Sequence, residues 1–312
     1  MAAYEATSTS DLISNLPDDV LRQILSCLQL KDIIATTFLS RRWRNFWTSF
    51  PVLDFDNWLP EKVNLALVLY NAPAVHTFRF CPPCTPTQPP VDSWIHFAVR
   101  HNVRVLALDT LFPAKLHSSV YSCKSLEELE LKSFQLNLPP SVRLTSLKTL
   151  RLYRMTLDAK ELDVLTSGCP VLEDMHLGEC NRNWPLKIYI SNSNLKRLCI
   201  QDDVTSITPY ENELELFAPR LQSLTITGKF RKSYVMKNTA SLASASFDFD
   251  WRLYNEGEVE ILVGLLRQVS RVKSLKLSNR CIQVLPTCSF LKFNSEDVLF
   301  QINCIRCLIP TH

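Results

Sequence analysis

Leu126 to Leu131 reads LEELEL, Leu147 to Leu152 LKTLRL, Leu172 to Leu177 LEDMHL, Leu195 to Ile200 LKRLCI and Leu221 to Ile226 LQSLTI. In each, apolar residues hold the first, fourth and sixth places, and a polar residue follows the first leucine. The fourth and sixth places alternate with polar ones at the period of a strand, whose successive side chains point to opposite faces. The spacing extends outward from this block. Phe50/Leu53/Phe55, Val75/Phe78/Phe80 and Val103/Leu106/Leu108 precede it; Leu242/Ala245/Phe247 and Val272/Leu275/Leu277 follow, with first positions 21 to 30 residues apart. A period of this length predicts stacked units that cannot bury their apolar faces singly, so the array folds as a whole.

Composition excludes several functions. The chain has 312 residues, 46% hydrophobic and 21% charged, ample for a large core. Thirty-four Lys plus Arg against 31 Asp plus Glu leave a formal charge of +3, too little for a sequence-independent hold on phosphate backbone, so nucleic acid is not expected as a partner. Only five glycines occur, Gly168, Gly178, Gly228, Gly257 and Gly264, and none stands at the spacing of a phosphate-cradling loop or a nucleophile elbow. No apolar run approaches the roughly 20 residues that span a bilayer, so no membrane association is expected. Eleven scattered cysteines, behind an acidic, polar N-terminal stretch with no apolar signal, predict free thiols in a reducing compartment, nucleus or cytoplasm.

Residues 16 to 50 predict three short helices. After Leu16 and Pro17, Asp18 and Asp19 suit a helix N-terminus, and Val20, Leu21, Ile24, Leu25 and Leu28 recur on one face. Asp32 is placed to cap a second helix carrying Ile33, Ile34 and Phe38. Ser40 is placed to cap a third, in which Trp43, Phe46, Trp47 and Phe50 share a face, with Arg41, Arg42 and Arg44 on a solvated one. So small a bundle cannot bury this aromatic surface alone. Either a partner covers it or it docks on the rest of the chain.

LPDDVLRQILSCLQLKDIIATTFLSRRWRNFWTSFPVLDF, Leu16 to Phe55, resembles an F-box, with the Leu-Pro start, the L-x-x-I-L-x-x-L first helix and the S-R-R-W-R-x-x-W third helix in order. The resemblance implies a docking module for the Skp-type linker of a cullin-based ubiquitin ligase. Carried over by position, its contacts are Leu16, Pro17, Leu21, Ile24, Leu25, Leu28 and Trp43; the competing role for each is core of the bundle. CPVLEDMHLGEC, Cys169 to Cys180, resembles the cysteine-type leucine-rich repeat. Most units depart from that form, with Phe134, Met155, Asp203 and Lys229 where Asn or Cys usually stands, so the internal ladder must be made differently. Together the two resemble the plant F-box and leucine-rich-repeat class, without a recognisable C-terminal FBD-type domain. The implied fold is α/β: a three-helix F-box over 11–50, a curved solenoid of about ten divergent repeats over 51–293 with a parallel sheet on its concave face, and a tail over 294–312 without repeat phase.

Chemistry at a site is not expected. Cys81, Cys84, His96 and His101 come one residue short of a zinc-finger spacing, but five prolines fall between 82 and 90, and an inserted loop accounts for the stretch without a metal. Cys304-x-x-Cys307 lacks the strand and helix that a redox motif needs. No catalytic residue, metal or cofactor is assigned. The expected role is a substrate-recruiting adaptor that binds a linker, through it a cullin, and an unidentified protein target. The alternative is a scaffold or ligand sensor whose bundle only caps the array. On the concave face the pattern lines up Glu128, Glu130 and Lys132 beside Thr149, Arg151 and Tyr153, then Asp174 and His176, then Arg197 and Gln201. Glu130 and Arg151 are placed to pair across strands, which is the competing structural role for both. Tyr153 and Arg197 lack an obvious internal partner, and with Arg151 and His176 they are the candidate target contacts.

Overall fold

The leucine that opens each unit closes a tight turn before the strand begins. The amides of Leu126, Leu147, Leu172, Leu221, Leu242 and Val272 each donate to the carbonyl three residues back. The next residue then takes up the interstrand ladder, which passes from Arg104 through Glu127, Lys148, Glu173, Lys196, Gln222 and Ala243 to Lys273. The computed structural model describes residues 16–39, 43, 46–83, 89–180, 187–202, 213–249, 256–284 and 299–300.

Eleven parallel strands build the main sheet in this way. They are β1 (Val52–Asp56), β2 (Thr77–Cys81), β3 (Val105–Lys115), β4 (Glu128–Gln135), β5 (Thr149–Tyr153) and β6 (Asp174–Gly178), then β8 (Arg197–Gln201), β10 (Ser223–Gly228), β12 (Ser244–Phe249), β13 (Ser274–Leu277) and β14 (Leu299–Phe300). The triplets stay in register across it. Leu129 faces Leu150, which faces Met175, which faces Leu198, which faces Leu224. Every residue of the ten triplets is buried, and they belong to one continuous core running from Leu21 to Cys281. Strand β14 falls inside the stretch read as a tail without phase; its backbone pairs Leu299 with Ser274 and Phe300 with Leu275.

The returns are helices at both ends of the array and, in its middle, strands that the repeat pattern does not predict. Helices α3 (Pro60–Leu69), α4 (Val91–Arg100) and α5 (Ala159–Ser167) cover early units and α6 (Glu256–Gln268) a late one, while α7 (Asn279–Val284) follows β13. Between α5 and α6 the returns are strands, β7 (Lys187–Ser191), β9 (Glu213–Phe217) and β11 (Ser233–Lys237), which form a second parallel sheet in the order β11-β9-β7. Their cause is local: Ile188 and Ile190, then Leu214 and Leu216, are buried in strict alternation with less buried neighbours.

The missing Asn ladder is replaced piecemeal. Asn192 donates to the carbonyls of Thr166 and Cys169, Ser125 to Val103, Thr110 to Lys132 and Ser133, and the Cys281 thiol to Phe247. Where β10 ends, Gly228 adopts φ +100° directly over the Asp202 carbonyl. Arg231, buried, holds Asp202 at 2.7 Å.

At the N-terminus, α1 (Asp18–Ser26) and α2 (Leu30–Ala35) send Leu21, Leu25, Leu30 and Ile33 into the core with Trp43 and Trp47. Helix α2 starts earlier than expected, at Leu30, which puts Asp32 in its first turn instead of at its cap. Phe38, expected on that helix, stands in a 3-10 turn and is 92% exposed. Ser40, Arg41, Arg42 and Arg44 lie outside the described residues. The bundle is fixed to the first repeat by the bond from the Asn71 amide to the Thr48 carbonyl and by α2 against β1.

Candidate functional site

Two surfaces stand out, and each follows from how its element packs. On α1, residues three and four apart share a face, but the edge of the core divides that face. Leu21, Leu25 and Trp43 are buried and so support the surface instead of forming it. Ile24 at 42% and Leu28 at 41% remain exposed, together with Pro17; Leu16 is half-buried. Val20, also exposed, completes the apolar stripe, and Phe38 and Leu39 extend exposed apolar surface to the end of α2. Sequence reasoning did not single out Leu39, and it placed Val20 on the helix face without assigning it a contact. Their signal was available in the apolar spacing but not the side on which the core lay. The guanidinium of Arg22 sits 5.5 Å over the Phe46 ring.

The second surface is the polar face of the main sheet. Tyr153 on β5 and His176 on β6 pack at 5.0 Å between ring centroids, and the Tyr153 hydroxyl meets His176 Nδ1 at 3.3 Å. The Lys132 ammonium lies 5.5 Å from the Tyr153 ring centre. This close pairing depends on the residue facing Tyr153 across the ladder being Gly178, where a Cβ would lie 2.3 Å from the ring. His176 Nε2 is buried without a partner. Burial, with Arg151 adding to it and Glu130 opposing, holds the imidazole below its ordinary pKa range. Nearby, Asp109 takes Arg154 at 2.7 Å and Lys132 at 3.8 Å, and burial pushes its carboxyl up against the pull of both cations.

Three expectations about this face are corrected. Arg151 pairs with Glu128 at 3.3 Å, because Glu130, which faces it in the ladder, takes Lys132 at 3.1 Å. Arg197 does have a partner, forming a two-pronged ion pair with Asp174. Tyr153 is engaged by His176 and Lys132. Arg151, Tyr153, His176 and Arg197 lie within three neighbouring strands. Beyond them the face falls to small side chains, Cys199, Thr225 and Ser246, in one row. The arrangement offers hydrogen-bond donors and an aromatic ridge beside a shallow floor, which is the chemistry of a binding surface.

Of the near-zinc residues, Cys84 lies outside the described residues, and His101 Nδ1 is engaged with the Phe97 carbonyl at 2.8 Å. Helix α4 starts at Val91, directly after the proline-rich stretch, and carries His96 on an exposed side. Among the described residues no group of three or more His, Cys, Asp or Glu could hold a metal ion. No described helix is long and apolar enough to cross a membrane.

Residues 13–55 match the family described as F-box domain, and residues 91–246 match that described as FBD-associated F-box protein At5g56370, LRR repeats. The chain is 33% identical to F-box/LRR-repeat protein At3g26922 of Arabidopsis thaliana over 87% of its own length and 93% of that protein. The chain belongs to the F-box/leucine-rich-repeat family. It is also 32% identical to F-box/LRR-repeat protein At3g03360 of the same plant, over 96% of the chain and 66% of that protein. With putative FBD-associated F-box protein At1g55030 it shares 33% identity over 75% of the chain and 58% of that protein. The chain therefore spans about two thirds or less of these last two relatives. No solved structure matches it. Within the F-box/leucine-rich-repeat family, the α1 stripe belongs to the F-box and the Tyr153–His176 ridge to the repeats.

Proposed function

We propose that the protein is a non-catalytic substrate-recognition subunit of an SCF-type ubiquitin ligase, acting in the nucleus or cytoplasm. A three-helix F-box docks a Skp-type linker and through it a cullin, and a curved repeat solenoid binds a target protein on its concave sheet face. Its contribution to ubiquitin transfer is effective concentration, not chemistry. The observation that carries the reading is the exposed stripe of Pro17, Val20, Ile24 and Leu28 on the helix of an F-box. The continuous core from Leu21 to Cys281 also suits a bundle that merely caps the array. A cap, however, has no use for apolar side chains facing away from what it covers.

Binding by the full-length chain to a purified Skp-type linker tests the docking. Ile24→Asp sits on the exposed side, so it should abolish binding while the thermal unfolding curve stays in place. A chain that never binds the linker, or an Ile24→Asp variant that binds as before, overturns the reading. For the target, Tyr153→Ala with Arg197→Glu should abolish capture and leave linker binding intact; undiminished capture moves the target site off these strands.

A further inference from the structure

Strand β3 leaves the ladder and comes back. Val105 to Asp109 face Glu128 to Lys132 in step, but the next rung pairs Ala114 with Phe134, so Thr110 to Pro113 stand against the single residue Ser133 of β4. Ser133 takes φ +64° opposite them. The excursion is pinned on both sides. Thr110 is buried, its hydroxyl 3.2 Å from the carbonyls of both Lys132 and Ser133. Beyond the excursion Ala114 is buried, and the Leu116 amide donates to the Gln135 carbonyl at 2.9 Å. Between the pins Leu111 is 44% and Phe112 52% exposed. Strands β2 and β5, of five residues each, carry nothing of the kind. The apolar finger is therefore not required by the repeat, and its roots hold it in place without a partner.

The charges around its base are layered. Asp109, the last residue before the excursion, takes Arg154 at 2.7 Å and Lys132 at 3.8 Å, and its side chain is 18% exposed against 39% and 34% for the two cations. Lys132 also takes Glu130 at 3.1 Å. Lys115, exposed where β3 ends, adds a third cation. The Asp109 carboxylate thus lies beneath and the cations outside, so an approaching partner meets positive charge first. Asp109, Lys132 and Tyr153 face one another along a single row of the ladder. This sets the finger on the rim of the polar face, two strands from Tyr153.

Resting on the reading of that face as the target surface, we infer that the target segment is acidic as well as apolar and that the finger is its anchor. An apolar side chain of the target packs on Leu111 and Phe112, while a neighbouring carboxylate meets Arg154 and Lys115. Phenylalanine is enriched at interfaces, and an anchor already held in place loses little freedom when it binds. Charge chooses the occupant. A basic segment would be repelled by the outer cations, and a second copy pairing finger to finger would bring the same cations together. Contact with both the finger and Tyr153 fixes the orientation of one target on the sheet.

The test selects short random peptides on the full-length protein and then measures the affinity of the selected sequences as free peptides. They should combine Leu, Ile or Phe with Asp or Glu. Leu111→Ser with Phe112→Ser should weaken their binding at least about tenfold, while thermal unfolding and binding to a purified Skp-type linker stay unchanged. Lys115→Glu should weaken it less, with a deficit that shrinks as salt is raised. Basic peptides, or no enrichment at all, overturn the inference. If the peptides are lost by Tyr153→Ala with Arg197→Glu but bind the finger pair within about twofold of the parent, the target face stands and the finger has no part in it. Peptides indifferent to both pairs refute the target face and the finger together. A full-length dimer that the finger pair turns into a monomer would make a second copy the occupant, and weaker linker binding by that pair would make it the linker; either result overturns the inference.

Discussion

Replacing Gly178 by alanine asks whether Tyr153 is held over the sheet by the emptiness of the facing position. A Cβ at 178 would lie 2.3 Å from Cδ1 and 2.7 Å from Cε1 of Tyr153, closer than carbon atoms approach. The two residues face each other in the parallel ladder, so the backbone cannot part without breaking interstrand bonds, and the ring must swing aside. It would then leave His176, at 5.0 Å between centroids and 3.3 Å from hydroxyl to Nδ1, and Lys132 at 5.5 Å. An aromatic pair contributes about 0.5–1.5 kcal/mol, an exposed cation over a ring about 0.5–1 and a hydrogen bond about 0.5–1.5. Alanine offsets part of this, being better than glycine inside a strand by roughly 0.5–1 kcal/mol. The expected net loss is about 2 kcal/mol. Urea denaturation of the full-length chain, run as a double-mutant cycle with Tyr153→Ala, isolates the cause. In the Tyr153→Ala background the clash is gone, and Gly178→Ala should stabilise by roughly 0.5 kcal/mol. The same loss in both backgrounds would refute the argument, since the ring would then have no part in it.

Gly228→Ala meets a harder obstacle, because the new Cβ would lie 2.1 Å from the Asp202 carbonyl oxygen on a backbone at φ +100°. Strain and overlap together should destabilise by about 3 kcal/mol, and an unchanged thermal midpoint would show that the turn relaxes freely. His176 sets a pH dependence. Its folded-state pKa lies below the ordinary histidine value of 6.5, so the unfolded chain binds the extra proton first. The stability present above that value is lost as pH falls through the folded one. His176→Gln should flatten this acid-side loss in urea midpoints taken from about pH 7.5 down to 5; parallel curves for variant and parent would sink the assignment.

The strands were legible because two periods coincide at each of them, the alternation within the strand and the recurrence of the opening leucine. That coincidence put Arg151 beside His176, as the ladder has them. The second sheet carried only the first of these signals. Ile188 and Ile190 alternate as plainly as Leu150 and Leu152, but no opening leucine marks them, and a search for repeats passes over them. On α1, spacing put Leu21 and Ile24 on one face, and it could not say that the core would take the first and leave the second bare. Ion pairs were the least legible. Glu128 and Glu130 stand on the same face of β4, and whether Arg151 turns to one or the other depends on Lys132 having already engaged Glu130 at 3.1 Å.

The register that the triplets keep from β1 onward makes the protein a ruler. The bundle is bonded directly to the first repeat through Asn71 and Thr48, and each further strand adds a fixed step of about 4.8 Å. The distance between what α1 holds and what the sheet face holds is therefore counted in repeats and not set by a flexible tether. Deleting one unit between β2 and β5 would draw Tyr153 toward α1 by about one such step while leaving both surfaces chemically unchanged. Geometry could thus be altered by copying or losing a single repeat, with no substitution at either contact.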